Sequence, residues 1–141
     1  MFPTLMKLAT MFLVGLEAAA SATTPAAPRL DLLPVEKAIV DGTNAQRAIY
    51  GLPALQIDTS LEQTARNHAA WMTNSHNLQH SSIGVAENIA WGQRSAEEAM
   101  SSWMSSSGHR ANILNPSYRR IGVAAYTATD GSCYWCQQFL Q

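Results

Sequence analysis

Three side chains in this sequence are of the types from which a metal site or a proton relay is built: His80, Glu87 and His109. Two neutral imidazoles and a carboxylate form the donor set of many catalytic zinc sites, which keep a fourth position open for water or substrate. Without a metal, the carboxylate would accept a hydrogen bond from one imidazole, fix its tautomer and raise its pKa. The ordered zinc spacing H-E-x-x-H is absent, and the three lie far apart along the chain, so a fold must gather them. The competing reading is that these residues tie loops together through buried hydrogen bonds, which would equally require satisfied donors and acceptors.

The surrounding pattern says which elements would position them. His109 lies in Ser107-Gly108-His109-Arg110-Ala111-Asn112-Ile113-Leu114-Asn115-Pro116, a run that can start a helical turn, continues into an apolar pair and stops at Asn-Pro. Periodicity predicts three helices followed by a pair of strands. The first spans Val35 to Tyr50 and closes at Gly51-Leu52-Pro53. The second follows the cap candidates Asp58-Thr59-Ser60, with Leu61, Ala65, His68, Ala69 and Met72 on one face. A capping box of Ser95 and Glu98 opens the third, whose apolar stripe is Ala99, Met100, Trp103 and Met104. Ile121 to Thr127 and Tyr134 to Leu140 read as strands joined through Asp130-Gly131. Among other polar residues, His68 is expected to be a hydrogen-bonded core histidine, and His76 loop surface. Asn44 and Arg47 share a face of the first helix and are expected to be architectural. Trp91 is expected in a loop bordering a ligand groove.

Composition bounds the function. A chain of 141 residues with 47% hydrophobic content supports one core and one domain. A net charge of −1 removes the long-range attraction that nucleic acids or anionic membranes exploit, so no nucleic-acid partner is expected. Residues 1–22 read as a secretory signal peptide: Lys7, a short apolar run from Leu8 to Leu16, and the small-residue site Ala20-Ser21-Ala22. That run is too short to span a bilayer, so no transmembrane segment is expected in the mature protein. Residues 23–34 form a flexible linker and 35–141 the domain. The chain is expected to be secreted, extracellular or periplasmic, and a monomer.

Export would permit a disulfide, yet Cys133-Tyr134-Trp135-Cys136 sits in a strand pattern. Residues three apart on a strand point to opposite faces, out of bridging reach, so two separate thiols are expected, with a strained bridge as the alternative at a distorted strand end.

Several spaced motifs occur here in one order. They are Asn44-x-x-Arg47, Gly51-Leu52-Pro53-Ala54-Leu55, the Ala65 to Met72 helix, His80, Glu87-Asn88-Ile89, Trp103-Met104, Gly108-His109-Arg110-x-Asn112-Ile113-Leu114 and Ile121-Gly122-Val123. Together they resemble the CAP superfamily of cysteine-rich secretory proteins, antigen five and pathogenesis-related proteins, and its short bacterial SCP-domain members above all. The resemblance implies an α+β fold, a three-layer α-β-α sandwich with a small antiparallel sheet and a cleft on one side. In that family the cleft holds two histidines, able to bind zinc or another divalent cation, and two acids. By position these histidines are His80 and His109, and the first acid is Glu87. The second acid has no counterpart, because Ser105-Ser106 follows Trp103-Met104; Glu97 and Glu98, about two turns earlier, are expected to cap or face solvent. Asn88, Ser106 and Arg110 are expected to support the cleft.

Two functions from different classes follow. The first, favoured, is a secreted binding module that takes a divalent metal and a lipid, sterol or protein ligand. The second is a metal-dependent peptidase or esterase in which His80 and His109 hold zinc and Glu87 serves as ligand or general base. Ser105, Ser106 and Ser107 lack the G-x-S-x-G elbow of a serine hydrolase.

Overall fold

The computed structural model describes residues 30–141, so the expected signal peptide and the linker up to residue 29 lie outside the described residues. Four helices and four strands follow in the order α1 (Pro34–Ile49), β1 (Gln56–Ile57), α2 (Thr59–Ser75), β2 (Ala86–Trp91), α3 (Ala96–Met104), α4 (Ser107–Ile113), β3 (Arg120–Thr127) and β4 (Cys133–Leu140). The sheet runs β1-β3-β4-β2. Strands β3, β4 and β2 pair antiparallel, and the two-residue β1 adds a parallel edge, which makes the sheet mixed.

Local chemistry sets the element ends. Asp58 caps α2 by accepting from the Leu61 amide at 2.9 Å. At the other end His76 turns left-handed at φ 49°, and the Asn77 amide closes back on the Met72 carbonyl at 3.1 Å. Ser95 caps α3 through the Glu98 amide at 3.1 Å, while the Glu98 carboxylate reaches the Arg94 amide at 2.9 Å, one residue beyond the partner of a standard capping box. The hairpin of β3 and β4 turns at Gly131, φ 87°, as Asp130-Gly131 predicts.

Alternation along the central strands builds a core on each face. Ile121, Val123 and Ala125 of β3, with Trp135 and Phe139 of β4, pack under α1, α3 and α4. Ala124, Tyr134 and Cys136 face Ala65, Ala69 and Met72 of α2. Two helical layers therefore enclose the sheet, and the expected α-β-α sandwich is the observed one.

Arg47 and Asn44 of α1 fasten the loops that follow it and the segment after α4. The fully buried Arg47 guanidinium donates to the carbonyls of Pro53, Ile113, Asn115 and Tyr118. Asn44 exchanges two hydrogen bonds with the Leu55 backbone, at 3.1 and 2.8 Å. Both cysteines are free thiols on β4, Cys136 buried and Cys133 half-buried. Burial pushes both thiols up, Cys136 further, with the Glu87 charge adding to it. Among the described residues no helix is long and apolar enough to cross a membrane.

Candidate binding cleft at the edge of the sheet

Strand β2 is an edge strand, and its pleat decides where the cleft forms. Successive side chains leave a strand through opposite faces, so Glu87 points into the α2 layer and Asn88 into the layer of α1, α3 and α4. Trp91 is not in the expected loop but is the last residue of β2, half exposed and tilted against Tyr134.

Glu87 is buried and fully engaged. Its Oε1 accepts from His80 Nδ1 at 2.8 Å and from the Ser81 amide at 2.9 Å; its Oε2 accepts from Ser81 Oγ at 2.7 Å and Gln138 Nε2 at 2.8 Å. Burial is the largest single effect and opposes ionisation, but the bonds from Gln138, Ser81 and His80 together outweigh it and hold the carboxyl below its ordinary value. The His80 side chain itself is 61% exposed. A carboxylate at Nδ1 makes that nitrogen the donor, so Nε2 of the neutral ring presents its lone pair to solvent.

His109 reaches the same edge from the opposite layer. Asn88 Nδ2 holds the His109 carbonyl at 3.0 Å and the Gln137 amide oxygen at 3.0 Å, while Asn112 Nδ2 donates to Asn88 Oδ1 at 2.9 Å. Ser106 Oγ meets His109 Nδ1 at 2.9 Å, which directs the ring and leaves Nε2 free. Burial, and then the nearby charge of His80, lower the His109 imidazole below its ordinary value and favour its neutral form. The two histidines are thus anchored from opposite faces of the sheet at β2, His80 through Glu87 and His109 through Asn88. Ser106 and Asn88 both bond to His109, one at its ring and one at its carbonyl. Arg110 directs its guanidinium to Tyr50 at the end of α1, bonding the hydroxyl and stacking 5.1 Å above that ring.

Two further contributions come from His68 and from a pair of buried glutamines. His68, expected in the core, is half-buried and lines a cavity of about 390 Å³ together with His80 and Trp71. Its Nε2 donates to the Gln79 carbonyl at 2.6 Å and lies 3.9 Å from Glu87. Gln137 and Gln138 are the second: they are fully buried in β4, and each serves the cleft residue on its own face, Asn88 and Glu87 respectively. Two adjacent glutamines inside an otherwise apolar strand were the available signal, since buried amides must find partners.

A cation taken here would have Nε2 of His80 and Nε2 of His109 as its protein donors. Glu87 is spent on its hydrogen bonds, and among the described residues no group of three or more His, Cys, Asp or Glu side chains is placed to enclose a metal ion. Two imidazole nitrogens fit an open site whose remaining positions fall to water or ligand.

A family model described as the cysteine-rich secretory protein family, CAP, matches residues 40–139. The chain is 37% identical over 135 residues to the uncharacterized protein YkwD of Bacillus subtilis, across 84% of this chain and 51% of that protein. It thus spans about half the length of that curated relative. Among solved structures, an extracellular protein containing an SCP domain from Bacillus anthracis superposes with a TM-score of 0.68 at 24% identity, over 80% of this chain and 45% of its own. The structure of NaASP2 with Zn2+ superposes with a TM-score of 0.63 at 17% identity, over 74% of this chain and 78% of its own. At these identities the structures establish the fold.

Proposed function

The chain belongs to the cysteine-rich secretory protein (CAP) family, and from that premise we propose that it is an exported binding module whose cleft takes a divalent cation such as zinc between His80 and His109. The observation that carries this reading is the 2.8 Å bond from His80 Nδ1 to the buried Glu87 carboxylate. A carboxylate behind a histidine is the arrangement that orients an imidazole toward a metal and raises its basicity. Ser106 does the corresponding service for His109. The extracellular relative from Bacillus anthracis supports export, and the zinc-containing NaASP2 structure supports the choice of cation. Bound there, the cation would act as a Lewis acid toward a ligand oxygen.

The hydrolase alternative asks Glu87 to accept a proton from water. Four donors already occupy its oxygens and hold its carboxyl below the ordinary value, which makes it a poor base and favours the binding role.

Zinc titration of the full chain by calorimetry tests the reading. One equivalent of zinc is expected to bind, with His80→Ala and His109→Ala each losing most of the affinity. Glu87→Gln is expected to keep the stoichiometry but weaken binding about 10- to 100-fold, the usual cost of removing an outer partner. Equal uptake by the native chain and His109→Ala would overturn it.

A further inference from the structure

The cavity beside His80 has walls unlike those of a metal site. Of its nine lining residues only Trp71 and Ile83 are apolar, and none is Asp, Glu, Lys or Arg. More of the exposed lining is apolar than polar, Thr64 and Ser81 already bond within the protein, and a charged ligand would meet no opposite charge, so the remaining polar groups set what the ligand must offer beside an apolar face. The cavity asks for a neutral ligand with many hydrogen-bonding groups and one apolar face.

Its polar groups alternate between donors and acceptors. Asn67 Oδ1 is taken by Gln63 Nε2 at 2.9 Å and Gln79 Oε1 by Asn77 Nδ2 at 3.2 Å, which leaves the NH2 groups of Asn67 and Gln79 as donors. His68 Nε2 is spent on the Gln79 carbonyl, so Nδ1 of its neutral ring is an acceptor, as is Nε2 of His80 in the cation-free protein. Hydroxyl groups, each able to donate and accept, satisfy such a mixed set. Trp71 completes the match: His68 stacks on one face at 5.7 Å and 11°, while 44% exposure leaves the indole open to a ligand. Stacking against His68 also fixes the indole before any ligand arrives.

We propose that this cavity binds a neutral saccharide, with Trp71 under the apolar face of a sugar ring and Asn67, Gln79, His68 and His80 at its hydroxyls. It goes beyond the cation reading and shares only His80 with it. At about 390 Å³ the cavity is within the range of small-molecule sites, roughly 300–1,000 Å³.

The test titrates the full chain with cellotetraose, maltotetraose and tetra-N-acetylchitotetraose, read by saturation-transfer NMR and calorimetry. At least one is expected to bind, Trp71→Ala to weaken it about tenfold or more, and Asn67→Ala to weaken it with an unchanged circular dichroism spectrum. His109→Ala is expected to leave saccharide binding intact while removing zinc uptake, so the two readings fail separately. Binding of none of the three, equal binding by native protein and Trp71→Ala, or displacement of the saccharide by sterol-containing phosphatidylcholine vesicles would overturn the proposal.

Discussion

Glu87 and Asn88 are chain neighbours that anchor the two cleft histidines from opposite faces of the sheet, Glu87 through the His80 ring and Asn88 through the His109 carbonyl. A one-residue slip of β2 against β4 would exchange those faces, so the pairing of Glu87 with Gln138 and Asn88 with Gln137 fixes the cleft as well as the sheet.

Asn88→Ala tests that anchor. It would leave the Gln137 amide oxygen unpaired in the core and take a partner from the half-buried His109 carbonyl and Asn112 amide. The expected cost is about 2–4 kcal/mol in urea unfolding, given about 1–3 kcal/mol per buried group left without a partner. Zinc uptake should fall along with it, because α4 no longer holds His109 in place. A loss below about 1 kcal/mol would show that water or repacking replaces the amide.

Stability should also depend on pH in an unusual direction. Glu62 is fully buried, with Oε2 accepting from the Val123 amide at 2.6 Å and Oε1 without a hydrogen bond, 3.4 Å from Arg66 Nε. Burial, aided by the neighbouring Glu36 charge and opposed by the Val123 bond, pushes its carboxyl from 4.5 up to about 7. The folded chain therefore holds this proton more tightly than the unfolded one, and stability is lost as pH rises from about 4.5 through about 7. Glu87 acts oppositely: its lowered carboxyl contributes stability that is lost as pH falls below the ordinary carboxylate value. Thermal unfolding across this range should show a maximum on the weakly acidic side and a decline toward neutrality on the order of 1–3 kcal/mol. Glu62→Gln should flatten the decline. A native profile that is level from pH 5 to 8, or a decline that survives in Glu62→Gln, would contradict the assignment.

Elements whose signals are local were legible in the sequence. Asp58, Ser95 and Asp130-Gly131 mark ends and turns with side chains that bond within a few residues, and the structure uses each one. Strand β2 was not legible, because four of its six residues are buried and the two-faced burial erases the alternation that betrays a half-exposed strand. Strand β1 exists only through its two-residue pairing with β3, which no local pattern encodes. At the site, residue types pointed to His80, Glu87 and His109, but their grouping came from the family resemblance rather than from spacing. His68 carried a helical position that reads equally as core or cavity wall, and its stacking on Trp71 decides between them only in three dimensions. Arg110 sits beside His109 in the Gly108 to Leu114 motif yet serves Tyr50, because one residue along a short helix rotates a side chain away from its neighbour's direction.

The approach of α2 to the sheet gives a last prediction. A Cβ placed on Gly122 would stand 2.4 Å from the Leu61 carbonyl carbon and oxygen and 2.5 Å from the Glu62 nitrogen. These are backbone atoms in the first turn of α2, so no side chain can swing aside to make room. Only glycine lets β3 come close enough for the Val123 amide to reach Glu62 at 2.6 Å. Gly122→Ala is therefore expected to lose more than about 4 kcal/mol or to fail to fold, the range reserved for substitutions that break backbone packing. Gly108 supplies the control. It lies in α4, and a Cβ there meets nothing within 4 Å, so Gly108→Ala should be neutral or stabilise by about 0.5–1 kcal/mol through helix propensity. Thermal unfolding of the two variants in parallel separates a steric requirement from the general cost of replacing glycine, and similar midpoints for both would show that α2 can lift from the sheet.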